Sequence, residues 1–372
     1  MTHFHLTIPA RVNILGNPGD ANEGDFATIS AAVKPYAYAD IFPASDYLLE
    51  QTDSDSPAAC FHPSDIPLPY DKTLDLLKGA INRLHAFSPE FREKLPERGF
   101  HLRFRSDVPR QSGLGGSSLF VLLALTALRE FYALDRHIHN DYILSELCQR
   151  VEEVELGIAA GFADRYVPLF GGLAYLDYRG KLHHTAVRQE PLVTYERLDQ
   201  HSISLPLIAV TTGVQHDSGD VHGRMRPRYL EEHAEWQEHG EEMPPMVRFM
   251  SSAWKMAWHG KIALLEGDLH TFGRLMNENH RLVDKMMQYC GFSDGAGWAN
   301  NLFIESALQH GALGAKLTGA GGGGSVFALT EPGQESKIMR VWEETAVKMD
   351  LNDAQIYSLE IVPQGLIIES FD

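Results

Sequence analysis

Pro109-Arg110-Gln111-Ser112-Gly113-Leu114-Gly115-Gly116-Ser117-Ser118 runs straight into an apolar segment, residues 119–128, that no glycine or proline interrupts. Glycines let a backbone approach an anion closely, and the first N–H groups of a helix lack internal partners and carry the positive end of its dipole. The stretch therefore predicts a phosphate cradle opening a buried helix, with Ser117 and Ser118 at the mouth where a metal-bound phosphate would lie. Serine is also an ordinary helix cap, but capping requires no Gly-Leu-Gly-Gly run before it. The loop is not a Walker A motif, because no Gly-Lys-Ser/Thr follows the glycines. Ser118 holds the third glycine position of Gly-x-Gly-x-x-Gly, which argues against a Rossmann turn.

Outward from this loop, residues 100–105 alternate as a strand leading into it. Residues 4–15, 28–33 and 36–42 read as earlier strands, and residues 71–86 as a helix through Leu74, Leu77, Ile81 and Leu84. A second helical pattern covers 141–156 and ends at Gly157; strands follow at 173–178 and 205–211. A composition break near 191–204 divides the chain into two expected domains, 1–200 and 201–372. Beyond it, a long polar helical region (228–266), two helices (269–289 and 299–310), strands at 315–318 and 325–329, a helix (335–348) and a strand near 358–362 complete the reading.

The net charge is −18, which argues against nucleic acid or an anionic membrane as the main partner, since both reward clustered Lys and Arg. No apolar run reaches the ~20 residues that cross a bilayer, and the start lacks a signal sequence, so a cytoplasmic protein is expected. Cys60, Cys148 and Cys290 are too scattered for a disulfide framework or a structural zinc and read as buried thiols. His183-His184 and the other histidines show no zinc spacing.

Three further segments carry chemistry. Residues 317–329 contain a formal Gly-x-Gly-x-x-Gly match at Gly319, Gly321 and Gly324, but Ser325 to Leu329 reads as a strand where a dinucleotide fingerprint demands a helix. A helix after Gly324 is what a nicotinamide oxidoreductase would require. The glycine run, including Gly321 and Gly322, instead offers a backbone surface that can close on a ligand or on another loop. In Pro9 to Asp20, Arg11 sits within an apolar strand, where a charge is rarely buried without a partner, so a carboxylate partner is expected. Residues 150–166 form a glutamate-rich helix ending in a small-residue loop that presents Asp164.

Three glycine segments in this order and separation resemble the GHMP small-molecule kinases, with 9–20, 109–118 and 317–329 as the family's three motifs. The second departs from the common Gly-Leu-Gly-Ser-Ser form, because Gly116 stands where the first serine would be. Arg110-Gln111, residues 160–178 with Asp164-Arg165 and Gly171-Gly172-Leu173, and Asp217-Ser218-Gly219 through Arg228 look like the glucuronokinase branch; heptose 7-phosphate C1 kinases and galactokinases are near alternatives. The resemblance implies an α+β fold of two lobes, an N-terminal one similar to the second domain of ribosomal protein S5 and a ferredoxin-like C-terminal one.

It also implies ATP and Mg²⁺, a small-molecule sugar acceptor, and roles for named residues. Arg110 and the loop Gly113, Leu114, Gly115, Gly116, Ser117, Ser118, with Gly321 and Gly322, would hold the nucleotide phosphates. Ser117 and either Glu152 or Glu153 would ligate magnesium; counted back from Gly157, Glu152 fits the broader family and Glu153 the glucuronokinase branch. Asp164 would orient the sugar hydroxyl, with Arg11 holding that carboxylate. Asn17, Asp20, Arg165, His222 and Arg226 are candidates for the sugar, the arginines because a uronate needs a planar cation for its carboxylate. The Gly116 departure, and Ala163 where many relatives carry glutamine, leave open a catalytically silent nucleotide or sugar-phosphate binding protein.

Overall fold

The computed structural model describes the chain except residues 1, 22, 23, 25, 110, 111, 159, 160, 182–186, 188–191, 202, 203, 215–217, 241, 320 and 372. Arg110 and His183-His184 thus lie outside the described residues. Strands β1 (His3–Leu15), β2 (Ala27–Ala44), β3 (Tyr47–Gln51) and β4 (Ala59–Phe61) come first, followed by α1 (Asp75–Phe87), α2 (Pro89–Lys94) and β5 (Gly99–Ser106). Helix α3 (Gly116–Phe131) opens from the glycine loop, and α4 (Asp141–Arg150) continues into a π-helical turn, Val151–Glu155. Then come α5 (Ala163–Phe170), β6 (Leu173–Asp177), β7 (Thr194–Arg197) and β8 (Leu207–Thr211). Four helices follow, α6 (Ser218–His239), α7 (Pro245–Glu266), α8 (Leu269–Tyr289) and α9 (Trp298–Gln309). The chain finishes with β9 (Gly314–Thr318), β10 (Ser325–Leu329), α10 (Glu335–Lys348), β11 (Gln355–Leu359) and β12 (Ile367–Phe371).

The first sheet runs β12-β1-β2-β5-β3-β4, with β6 on β2 and β7 on β6; the second runs β11-β8-β10-β9, antiparallel throughout. With helices α6 to α9 between β8 and β9, and α10 between β10 and β11, the second sheet has ferredoxin-like topology. The fold is α+β, as the family resemblance implied. Its last strand returns to the first sheet and pairs with the start of β1, Thr7 opposite Ile367. Helix α3 is apolar on all sides, so it lies inside the protein: Leu122 and Leu125 share one core with Ile8 of the first sheet and Ala209 and Phe327 of the second.

Several expectations are corrected. The two early strands are one, β2, because Lys34 and Pro35 bulge out of register between Val33 (opposite Ala10) and Tyr36 (opposite Pro9), so the proline forfeits no ladder bond to β1. The expected helix over 228–266 is two helices, separated where Gly240 adopts φ +63° after α6 and Pro244-Pro245 starts α7. Helix α1 starts at Asp75 because that side chain accepts the N–H groups of Asp71 and Lys72 in a preceding turn. Cys60 is exposed on β4, not a buried thiol. Among the described residues no helix is long and apolar enough to cross a membrane.

Candidate active site

The phosphate loop forms as the glycine pattern demands. Gly113 (φ +72°) and Gly115 (φ +87°) occupy the left-handed region that only glycine enters without strain, and Gly115 caps a helix that begins at Gly116. Ser117 is exposed in the first turn and Ser118 is buried. The Leu114 carbonyl accepts the Arg11 N–H at 3.2 Å, which ties the loop to β1.

Arg11, 3% exposed, supplies the link between loop and acceptor side. Its Nε donates to Asp164 Oδ1 at 2.5 Å, its Nη2 pairs with Asp164 Oδ2, and its Nη1 donates to the Gly113 carbonyl. A planar fork meeting a carboxylate on two bonds fixes orientation as well as charge. Asp164 does not sit on a loop, as the small-residue stretch suggested, but in the first turn of α5, whose positive dipole end favours a carboxylate there. Asp20 helps anchor that helix: its Oδ2 accepts the N–H groups of Phe162 and Ala163 at 3.1 and 3.0 Å. Burial, and then the nearby Asp164 charge, raise the Asp20 carboxyl above the usual carboxylate range.

The two glutamates separate clearly. Glu152, 2% exposed, accepts from Ser117 Oγ at 2.7 Å and Ser118 Oγ at 3.1 Å, and pairs with Arg165. Glu153 turns away to Arg226 Nη1 at 2.7 Å and to Gln149. Both glutamates lie in the π-helical turn, where Leu156 N–H reaches back five residues to the Val151 carbonyl and Ile158 N–H takes the Glu152 carbonyl at 2.7 Å. A hydroxyl and a carboxylate at the phosphate-loop mouth form an all-oxygen donor set of the kind magnesium takes. Among the described residues no group of three or more His, Cys, Asp or Glu is placed to hold a metal.

Arg165 is fully buried, with its guanidinium against Glu152 and the Gly161 carbonyl, so it braces the site from inside and does not line the cleft. Burial lowers its pKa to about 10, which leaves it charged at neutral pH. His222 and Arg226, candidates for the sugar, lie four residues apart on helix α6. Asn17 and Asp20 are nearly buried and taken up by protein partners.

The third glycine turn lies between β9 and β10, whose register pairs Thr318 with Ser325, and no helix follows Gly324, which removes the dinucleotide reading. It packs backbone to backbone on the phosphate loop: a Cβ on Gly113 would lie 2.9 Å from the Thr318 carbonyl oxygen. Gly321 packs against Met287, and Gly322 N–H bonds the Ala296 carbonyl at 2.9 Å. Two residues that hold the first motif in place were missed at the sequence level. Asn279 on α8 accepts the Gly16 N–H at 3.0 Å and donates to the Asn17 carbonyl at 3.3 Å. Lys316 in β9 could have been found by the reasoning applied to Arg11, since it too is a charge inside an apolar strand.

Residues 75–172 match the model of the GHMP kinases N terminal domain and residues 300–348 that of the GHMP kinases C terminal domain. The chain is 33% identical to "Probable glucuronokinase 2" of Arabidopsis thaliana over 87% of this chain and 84% of that protein, and 28% identical to "Glucuronokinase 1" of the same plant over 87% and 85%. The crystal structure of Lactococcus lactis galactokinase complexed with galactose superposes with a TM-score of 0.78 at 18% identity, covering 98% of this chain and 95% of that one. With its three glycine segments, its two-sheet fold and these relatives, the chain belongs to the GHMP kinases.

Proposed function

We propose that this protein is an ATP-dependent sugar kinase that phosphorylates the anomeric hydroxyl of a uronic acid such as glucuronate, giving the sugar 1-phosphate and ADP. The observation that carries the reading is the Arg11–Asp164 pair seated against the Gly113 carbonyl of the phosphate loop, an acceptor-orienting carboxylate held beside a phosphate cradle. The two glucuronokinase relatives support a uronate, and Arg226, paired with Glu153, is the candidate cation for its carboxylate.

Phosphoryl transfer passes through a loose transition state, so positioning and charge neutralisation dominate. Backbone N–H groups of the loop at the start of α3 hold the nucleotide phosphates, with the helix dipole adding positive potential. Ser117 and Glu152 are the residues that would hold magnesium, which would supply charge neutralisation to the phosphates. Asp164 accepts a hydrogen bond from the sugar hydroxyl and aligns its oxygen for attack. The hydroxyl proton passes to Asp164 late, as the new bond to phosphorus forms, while Arg11 keeps the carboxylate in place. An anomeric hydroxyl, more acidic than an ordinary alcohol, suits a carboxylate so braced.

The test is direct: incubate the protein with Mg-ATP and glucuronate, galacturonate, galactose or heptose 7-phosphate, follow ADP release, and locate the new phosphate by NMR. Glucuronate 1-phosphate is the expected product. Phosphate on another sugar or position would overturn the assignment, and nucleotide binding without ADP release from any sugar would favour the catalytically silent reading.

A further inference from the structure

A fully buried lysine with no carboxylate beside it calls for explanation, because an ammonium loses several kcal/mol of hydration on leaving water. Lys316, 0% exposed in β9, is such a residue among the described residues. Its Nζ donates to the Asn17 Oδ1 at 2.8 Å, the Leu317 carbonyl at 2.9 Å and the Asn13 carbonyl at 3.3 Å, all neutral acceptors. An ammonium has three N–H donors, and here each meets an acceptor; a neutral amine has two donors and would leave one acceptor unpaired.

Those acceptors belong to two walls of the cleft. Asn13 and Asn17 lie on the first motif, two residues beyond Arg11 and three before Asp20; Leu317 leads into the turn that packs on Gly113. The same seam is closed by the Asn13 N–H bonding Thr318 Oγ1 at 3.2 Å and by Asn17 Nδ2 near the Gly319 carbonyl at 3.5 Å. We infer that Lys316 is a positioning residue for phosphoryl transfer: its ammonium clamps the first-motif wall onto the third glycine turn and so fixes the gap between the phosphate loop and Asp164. The inference rests on the kinase reading above.

The groups facing Lys316 leave its charge to govern the clamp. Asn13 and Asn17 are neutral amides, and the Phe327 ring of β10 lies 5.4 Å from Nζ. From α8, His280 senses the ammonium and is held down at about 4, first by burial and then by Lys316, so it is neutral above that range. Burial lowers Lys316 itself to about 7. The clamp is therefore complete below that pH and loses a donor above it.

The experiment uses the full chain as wild type, Lys316→Met and Asn17→Asp, with kcat and sugar KM measured against pH and Mg-ATP affinity measured by calorimetry. Lys316→Met lowers kcat by about 10²-fold, the scale of a small misplacement at a reacting centre, and keeps Mg-ATP affinity. Wild-type kcat falls as pH rises through about 7. Asn17→Asp moves that fall to higher pH, because a carboxylate keeps the ammonium charged. Wild-type kcat in Lys316→Met, or an unmoved profile in Asn17→Asp, overturns the clamp, and the second comparison decides if the methionine variant does not fold. A wild type that phosphorylates no sugar overturns the kinase reading, and the clamp's role in transfer with it.

Discussion

At the scale of single residues, the site is a set of charges each held by more than one partner. Asp164 has the Arg11 fork and a helix start, so a neutral isostere there keeps the shape and removes the acceptor. Asp164→Asn lowers kcat by about 10²–10⁴-fold, the range of a lost proton acceptor, with nucleotide affinity retained; initial rates and calorimetry check both halves. Asp20 answers differently to pH. Its folded pKa lies above its ordinary value, so the folded state holds the proton more tightly. That contribution favours folding at low pH and is lost as pH rises through the raised pKa. Asp20→Asn removes the buried charge while keeping an oxygen for the Phe162 and Ala163 N–H groups. Its melting temperature should exceed wild type at about pH 8 and match it near about pH 4, where an ordinary carboxyl is half protonated.

At the scale of elements, the meeting of two glycine loops is the feature least tolerant of change. Gly113→Ala adds a Cβ 2.9 Å from the Thr318 carbonyl oxygen at a φ of +72°, and the strain of that conformation is about 1–2 kcal/mol before any clash. Mg-ATP affinity should fall by about tenfold, as calorimetry would show, while the far-ultraviolet spectrum stays that of the wild type. This is also the scale at which the sequence was most readable. Strand β10, α8 and α10 stand where periodicity put them, because their apolar spacing and end signals agree. Arg11 asked for a carboxylate and has one. What could not be read depends on neighbours distant in the chain: Glu152 faces the loop because Ser117 and Ser118 meet it there while Arg226 takes Glu153, and β12 finds its edge on β1. Asp164's helix likewise begins where Asp20, far away in sequence, caps it.

At the scale of the molecule, the two sheets share one core through α3, and the cleft walls are drawn from both. Disturbing one sheet should therefore be felt at the site. Ending the chain after residue 365 strips the edge partner from residues 3–7 of β1, the strand that farther along holds Arg11. The shortened protein should melt earlier, in a single transition with loss of turnover; a melt with β1 detached and the rest unchanged would show the sheets to be independent.

Residues 3–7 are made long before residues 367–371, with which they pair. While translation proceeds, β1 already has β2 on one side but must keep its other border open until residues 367–371 emerge. During synthesis that bare border is where a nascent chain is open to chaperones or to strands of its neighbours, and the arrival of β12 covers it.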